Sequence, residues 1–199
     1  RTICSNAFQE CTSLESVSVL APVVAGGAAG TSLLTELPNY AFYGCEALSK
    51  VELPQGIERI GRSAFYGCIS LMSMAIPDSV KKIDDFAYYG SALVTLRFSD
   101  NAQLETIGRK AFQGCLIFGM AGEVKFPNAL KTVGEYAFYK CESLQLINLG
   151  SGLETIEKYA FYGCNAMEEI KFAENSELVS IGNYAFSDCV ALNGVTLPD

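Results

Sequence analysis

The stretch AFYGC stands at residues 41–45, again at 64–68 and again at 160–164. Repetition at a fixed period is the first thing to look for in a chain, because it changes how every other residue is read. Aligning on the Ala-aromatic pair places the aromatic at Phe8, Phe42, Phe65, Tyr88, Phe112, Phe138, Phe161 and Phe186. The steps are 34, 23, 23, 24, 26, 23 and 25 residues, so the unit is 23 residues with insertions.

One clean copy runs from Ile57, IERIGRSAFYGCISLMSMAIP, with the frame I-x-x-I-x-x-x-A-F-x-x-C-x-x-L-x-x-[IVM]-x-[LIF]-P. The leading apolar pair is Leu34/Leu37, Ile57/Ile60, Val80/Ile83, Leu104/Ile107, Leu130/Val133, Leu153/Ile156 and Leu178/Ile181. That makes about eight units, the first joined part-way. The trailing segment alternates and is β-branched, which predicts a short strand. A proline such as Pro54 or Pro77 follows and ends it. The I-x-x-x-A-F segment has helical spacing, and its alanine predicts close approach to the neighbouring unit. A unit this small cannot bury its own apolar face, but stacked units can.

The frame L-x-x-[IV]-x-[LI]-P-x-x-[LI]-x-x-I-x-x-x-A-F-x-x-C resembles the BspA-type, or Treponema pallidum class, leucine-rich repeat over the whole chain, 1–199. The resemblance implies an α/β right-handed solenoid of about eight coils, with a parallel sheet on the concave face and short helical turns on the convex face. It also implies the family's setting: surface proteins of host-associated bacteria and some protists, acting in adhesion and protein contact.

Cys11, Cys45, Cys68, Cys115, Cys141, Cys164 and Cys189 each follow the repeat aromatic by three residues, and Cys4 lies outside the series. Zinc needs clustered ligands, whereas these thiols come one per unit in a chain without histidine. Equivalent side chains in stacked coils point the same way, which does not suit a disulfide. In the fourth unit the position is Ser91. The series therefore reads as buried, reduced thiols acting as small hydrophobes. Cys4 with Cys11 is the one pairing left open.

All ten tyrosines fall within one residue of the Ala-aromatic pair. They read as wedges between neighbouring turns with wet hydroxyls. The alternative is an aromatic binding stripe.

The net charge of −8 excludes nucleic acid and anionic membrane as partners, because both need a basic surface. No apolar run is long enough to cross a membrane, and residues 1–11 lack a signal peptide's apolar core. The absence of an N-x-[ST] sequon disfavours an animal secreted protein. Without histidine no Ser-His or Cys-His pair exists, and no phosphate-binding glycine motif occurs. The chain reads as non-enzymatic, with no cofactor and no metal. Asp84-Asp85 and Glu168-Glu169 read as solvated charges.

Strand alternation predicts two outward columns. One holds Ser16, Lys50, Ser73, Thr95, Glu123, Leu146, Glu169 and Gly194; the other holds Ser18, Glu52, Ala75, Arg97, Lys125, Asn148, Lys171 and Thr196. Arg97, Glu123, Lys125, Asn148, Glu169 and Lys171 form the candidate binding surface. They carry both signs of charge on a rigid support. Insertions fall at 20–33, which is apolar and glycine-rich, after Phe98, after Phe172 and within 116–124. The chain opens inside a unit and stops after a predicted strand, as a segment of a longer array does. The function expected is a protein–protein interaction domain of a cell-surface or secreted adhesin-like protein, its ligand a host or neighbouring-cell surface protein. The alternatives are an intracellular scaffold and a passive spacer.

Overall fold

A computed structural model describes residues 3–19 and 34–198. The insertion at 20–33 lies outside the described residues. A complete repeat contributes two strands rather than one. The first is the leading apolar pair: β2 (Glu36–Leu37), β4 (Arg59–Ile60), β6 (Lys82–Ile83), β8 (Thr106–Ile107), β10 (Thr132–Val133), β12 (Thr155–Ile156) and β14 (Ser180–Ile181). These seven pair in one parallel ladder in chain order. The second is the predicted trailing strand: β1 (Ser16–Ser18), β3 (Lys50–Glu52), β5 (Ser73–Ala75), β7 (Thr95–Arg97), β9 (Val124–Lys125), β11 (Leu146–Leu149) and β13 (Glu169–Phe172). These also run parallel, but they divide into three groups, β1–β3, β5–β7 and β9–β11–β13.

Six coils carry both strands, against the eight units counted in sequence. The first unit has β1 without a leading strand, and the last has β14 while residues 182–198 form no strand.

The expected helical turns are absent: among the described residues no helix forms. The residue before each alanine has a left-handed backbone, as at Tyr40 (φ 57°), Ser63 (52°), Lys110 (57°) and Tyr136 (58°). Four positions later the backbone is left-handed again, at Gly44 (67°), Gly67 (68°), Gly114 (74°) and Lys140 (56°). A left-handed residue ends a helix, and two per unit allow none to grow. Alternate backbone N–H groups turn to the next coil instead. Tyr40, Phe42 and Gly44 donate to the carbonyls of Arg62, Ala64 and Tyr66, each at 2.8 Å, and the same trio recurs along the stack. This third ladder explains the glycine of AFYGC, which supplies the positive φ without a side-chain penalty.

The core is a stack of aromatic rings. Phe8, Phe42, Phe65, Tyr88, Phe112, Phe138, Phe161 and Phe186 follow one another at 5.0–5.6 Å between centroids, their planes nearly parallel. Tyr88 is fully buried, and its hydroxyl donates to Met74 Sδ at 3.3 Å rather than to solvent. The insertion at 116–124 is no loose loop. Its Phe118 is fully buried, 5.4 Å from Phe112 and 5.7 Å from Phe138.

The cysteines are free thiols, Cys4 and Cys11 included. Six of the seven in register are buried. Cys11, in the first described coil, is exposed. The six do more than fill space. Each thiol donates to the carbonyl of the repeat aromatic one coil earlier, Cys68 to Phe42 at 3.2 Å, Cys115 to Tyr88 at 3.0 Å and Cys141 to Phe112 at 3.2 Å. That carbonyl already accepts the cysteine N–H of its own coil, as Phe42 does from Cys45 at 3.2 Å. The thiol thus satisfies an oxygen lone pair that would otherwise be buried unpaired. Ser91 breaks the pattern and meets the Cys115 thiol at 3.4 Å. Thiol titration of the native protein should find two reactive groups, Cys4 and Cys11, and all eight after denaturation without reductant. A native count of five or more, or a denatured count of two, contradicts this arrangement.

Candidate binding surface

The ladder registers align the outward side chains in the two expected columns. Ser73 pairs with Thr95 and Ala75 with Arg97; Asn148 lies between Lys125 and Lys171, and Leu146 beside Glu169. Alternation sends Ile147 and Ile170 into the core and leaves Glu123, Lys125, Glu169 and Lys171 exposed, with Asn148 half-buried.

Five of the six candidate residues sit together on β9–β11–β13, with Glu123 just before β9. Lys171 Nζ stands 3.8 Å from both Glu123 Oε1 and Glu169 Oε2. Asn148 Nδ2 donates to the same Glu123 oxygen at 3.1 Å. Lys125 reaches Asp100 at 3.1 Å, a partner in the insertion after Phe98 that strand alternation did not single out. Exposed pairs of this kind contribute about 0–1 kcal/mol each, so the network orients its members more than it holds the fold.

Arg97 stands apart from this group. It lies on β7, at a cleft bounded by Lys50 and Ser73, and among the described residues no carboxylate pairs with it. Lys50 is held by Glu52 at 2.8 Å; that hydrogen bond raises the lysine pKa and lowers the glutamate's.

The turn side is aromatic. Tyr43, Tyr66 and Tyr89 stack at 4.7 and 4.8 Å, and Tyr136, Tyr159 and Tyr184 at 4.9 and 5.1 Å. Lys110 fills the ring position between Phe86 and Tyr136, at 5.7 and 5.4 Å from their centroids. The stacked faces cover one another, so within each run they offer no open ring for a sugar to lie on.

Asp84 is buried, against the expectation of a solvated pair with Asp85. It accepts Arg59 and, at 3.0 Å, Lys82. Arg59 also reaches Glu36 at 2.9 Å, which links three coils along the short-strand ladder. Asp85 accepts the Arg109 backbone N–H at 2.9 Å.

The family model for the BspA type leucine-rich repeat region matches residues 35–120 and 106–199, with six copies. The leucine-rich repeat protein of T. pallidum is 30% identical, with a TM-score of 0.73 over 89% of this chain and 78% of that one. A leucine-rich repeat protein from Eubacterium ventriosum is 28% identical, with a TM-score of 0.63 over 81% of this chain and 44% of that one. A leucine-rich cell surface protein from Faecalibacterium prausnitzii is 22% identical, with a TM-score of 0.55 over 96% and 61%, a likeness of fold alone. No curated protein matches significantly. The repeat frame, the stacked aromatic core and these matches agree, and the chain belongs to the BspA-type leucine-rich repeat family.

Proposed function

We propose that the chain, over 1–199, is a non-catalytic protein–protein interaction domain of a cell-surface or secreted adhesin-like protein. Its partner is a host or neighbouring-cell surface protein. In this reading the solenoid is right-handed, the odd-numbered strands line its concave side, and the partner meets Glu123, Lys125, Asn148, Glu169 and Lys171, with Arg97 at the margin. The observation that carries it is the mixed-charge network on the outward face of β9–β11–β13, joined through Glu123 and Lys171. A backbone ladder fixes the spacing of these side chains, so little ordering cost remains at binding. Both signs of charge on one face suit a protein rather than a polyanion. The setting follows that of the family. Among the described residues no helix is long and apolar enough to cross a membrane.

The test is a panel of host surface proteins presented to the wild-type domain and to the double variant Lys125→Glu/Lys171→Glu. Folding stability should stay within about 1–2 kcal/mol of wild type, because the pairs lost are exposed. Affinity for the selected partner, and its dependence on salt, should both fall. A variant lacking 20–33 serves as the matched control. Unchanged affinity in the double reversal moves the site elsewhere, and an empty panel argues for a spacer. Surface protease treatment of intact cells checks the location: protection of the domain favours an intracellular scaffold.

A further inference from the structure

Among the described residues, the large apolar side chains left exposed belong to the first unit, to the last unit or to one place between them. That place holds Ile69, Met72, Leu116 and Met120, each more than half exposed. Coils pack on both sides of it, so its exposure is a property of the folded array. The repeat frame does not dictate it either. Ile69 directly follows the register cysteine, and Met72 directly follows the core leucine. In the next two units these positions hold Ala92 and Val94, then Leu116 and Gly119. The unit before has Glu46 and Ser49 there, and the unit after has Glu142 and Gln145. Three successive units are thus apolar at two columns, with polar residues at both ends. An exposed apolar patch with a polar rim marks an interaction site.

The support is rigid. The Val94 N–H donates to the Met72 carbonyl at 2.8 Å, and the Gly119 N–H donates to the Val94 carbonyl at 2.9 Å. Phe118, buried in the ring stack, anchors the insertion that carries Leu116 and Met120. The dimensions select an occupant. Successive core rings here are 5.0–5.6 Å apart, so Ile69 and Leu116 lie about 10 Å apart along the stack, and Glu46 and Glu142 about 20 Å. A helix rises about 1.5 Å per residue, so positions i and i+7 span the apolar part and about 13 residues span both acids. The patch is two columns wide, as is the i, i+3, i+4, i+7 stripe of an amphipathic helix, whereas an extended peptide turns one line of side chains to a surface.

The charges exclude self-association. Glu46 and Glu142 are exposed, and among the described residues no cation pairs with either carboxylate. A second copy docked about a two-fold axis through the patch centre would bring Glu46 of each copy to Glu142 of the other, acid against acid.

We propose that Ile69, Met72, Val94, Leu116 and Met120 form a docking site for a short amphipathic helix of a protein partner, apolar along one stripe and basic at both ends. The stripe covers the patch, where the flexible thioethers of Met72 and Met120 adapt to its shape. The basic ends meet Glu46 and Glu142. The proposal rests on the reading of the chain as a protein-binding domain, but it uses side chains separate from the Lys125–Lys171 network.

The probe is a labelled helical peptide with leucines at i, i+3, i+4 and i+7 and lysines at both ends, followed by fluorescence polarisation. It should bind, and counterparts with alanine for leucine or glutamate for lysine should bind about tenfold more weakly or not at all. Met72→Gln/Leu116→Gln should lower affinity about tenfold or more with no change in thermal midpoint, since both side chains are exposed. Glu46→Lys/Glu142→Lys should lower it about fivefold and reduce its salt dependence. Lys125→Glu/Lys171→Glu should leave it within about twofold. Amide shifts on titration should concentrate in residues 69–72, 92–95 and 116–122. Binding unchanged by Met72→Gln/Leu116→Gln overturns the site, whatever the charge reversals do. A wild-type dimer in sedimentation that Met72→Gln/Leu116→Gln dissolves overturns the helix and assigns the patch to a second copy. No binding by a folded wild-type domain that still selects a surface protein overturns the docking site and spares the interaction reading. Failure of both overturns both.

Discussion

Replacing Phe138 with alanine is expected to destabilise the domain by about 4–5 kcal/mol, the upper end for a buried aromatic. Phe138 is fully buried and lies within 5.7 Å, centroid to centroid, of four rings: Phe112, Phe118, Phe126 and Phe161. Aromatic pairs add about 0.5–1.5 kcal/mol beyond the area they bury. The surroundings cannot collapse into the hole, because the coil spacing is fixed by three backbone ladders around it. Phe65 has two ring neighbours, Phe42 at 5.6 Å and Tyr88 at 5.1 Å, so Phe65→Ala should cost less, about 3 kcal/mol. Urea unfolding monitored by circular dichroism measures both. A loss below about 2 kcal/mol at Phe138, or a larger loss at Phe65, contradicts the stacked core. Stability in a stacked array is carried by nearest-neighbour interfaces, so the Phe138 variant should also lose cooperativity, its two flanks melting apart.

How far this fold is legible in sequence depends on which interaction sets each position. Apolar burial repeats with the unit, so the frame of Ile57, Ile60, Phe65 and Leu71 announces itself. Backbone geometry does not. The spacing I-x-x-x-A-F is shared by a helix and by the turn pair seen here, and left-handed Tyr40, Lys110 and Tyr136 carry side chains that ordinarily avoid that region. The recurring glycine at Gly44, Gly67, Gly90, Gly114 and Gly163 was the available signal, since Gly in mid-helix is unfavourable. The thiol position shows the same limit. Its burial follows from register, but its use as a donor depends on a carbonyl in another coil, which no local pattern reveals. Phe118 was hidden for a further reason: an insertion is read as a loop, yet its ring joins the aromatic core.

The candidate surface divides along the same line. Strand alternation suffices to place Lys125, Asn148 and Lys171 in one outward column. It cannot show that Asp100 reaches Lys125, because that pairing depends on the path of the loop after Phe98. Nor can it show where the trailing-strand sheet opens. The interruption between β7 and β9 is a property of the backbone, and it sets Arg97 apart from the residues it was grouped with.

Alkaline pH should unfold the domain cooperatively, with a midpoint between about pH 10 and 11. Burial pushes the thiols of Cys68 and Cys115 from 9.0 up to about 12, and those of Cys141 and Cys164 well above 9.0. In the unfolded chain these groups ionise near their ordinary value. The contribution of each is fully present below about pH 9 and is lost as pH rises toward the folded value, since only the unfolded state then releases the proton. The loss is about 1.4 kcal/mol per thiol for each pH unit above 9. Cys189, hydrogen-bonded to Cys164, is shifted downward instead and offsets that pair, so with the other three thiols one and a half units removes roughly 6 kcal/mol, comparable to the whole stability of an ordinary domain of about 5–15 kcal/mol. The alternative cause is deprotonation of surface lysines, but their ion pairs are exposed and contribute about 0–1 kcal/mol each. The double variant Cys115→Ser/Cys141→Ser separates the two. Serine keeps a small hydroxyl donor at the position, which the fold already accommodates at Ser91, and does not ionise in this range. Its unfolding slope with pH should fall to about a third and its midpoint should move upward. An unchanged alkaline midpoint in that variant would remove the thiols from the account and return the transition to the tyrosines and lysines.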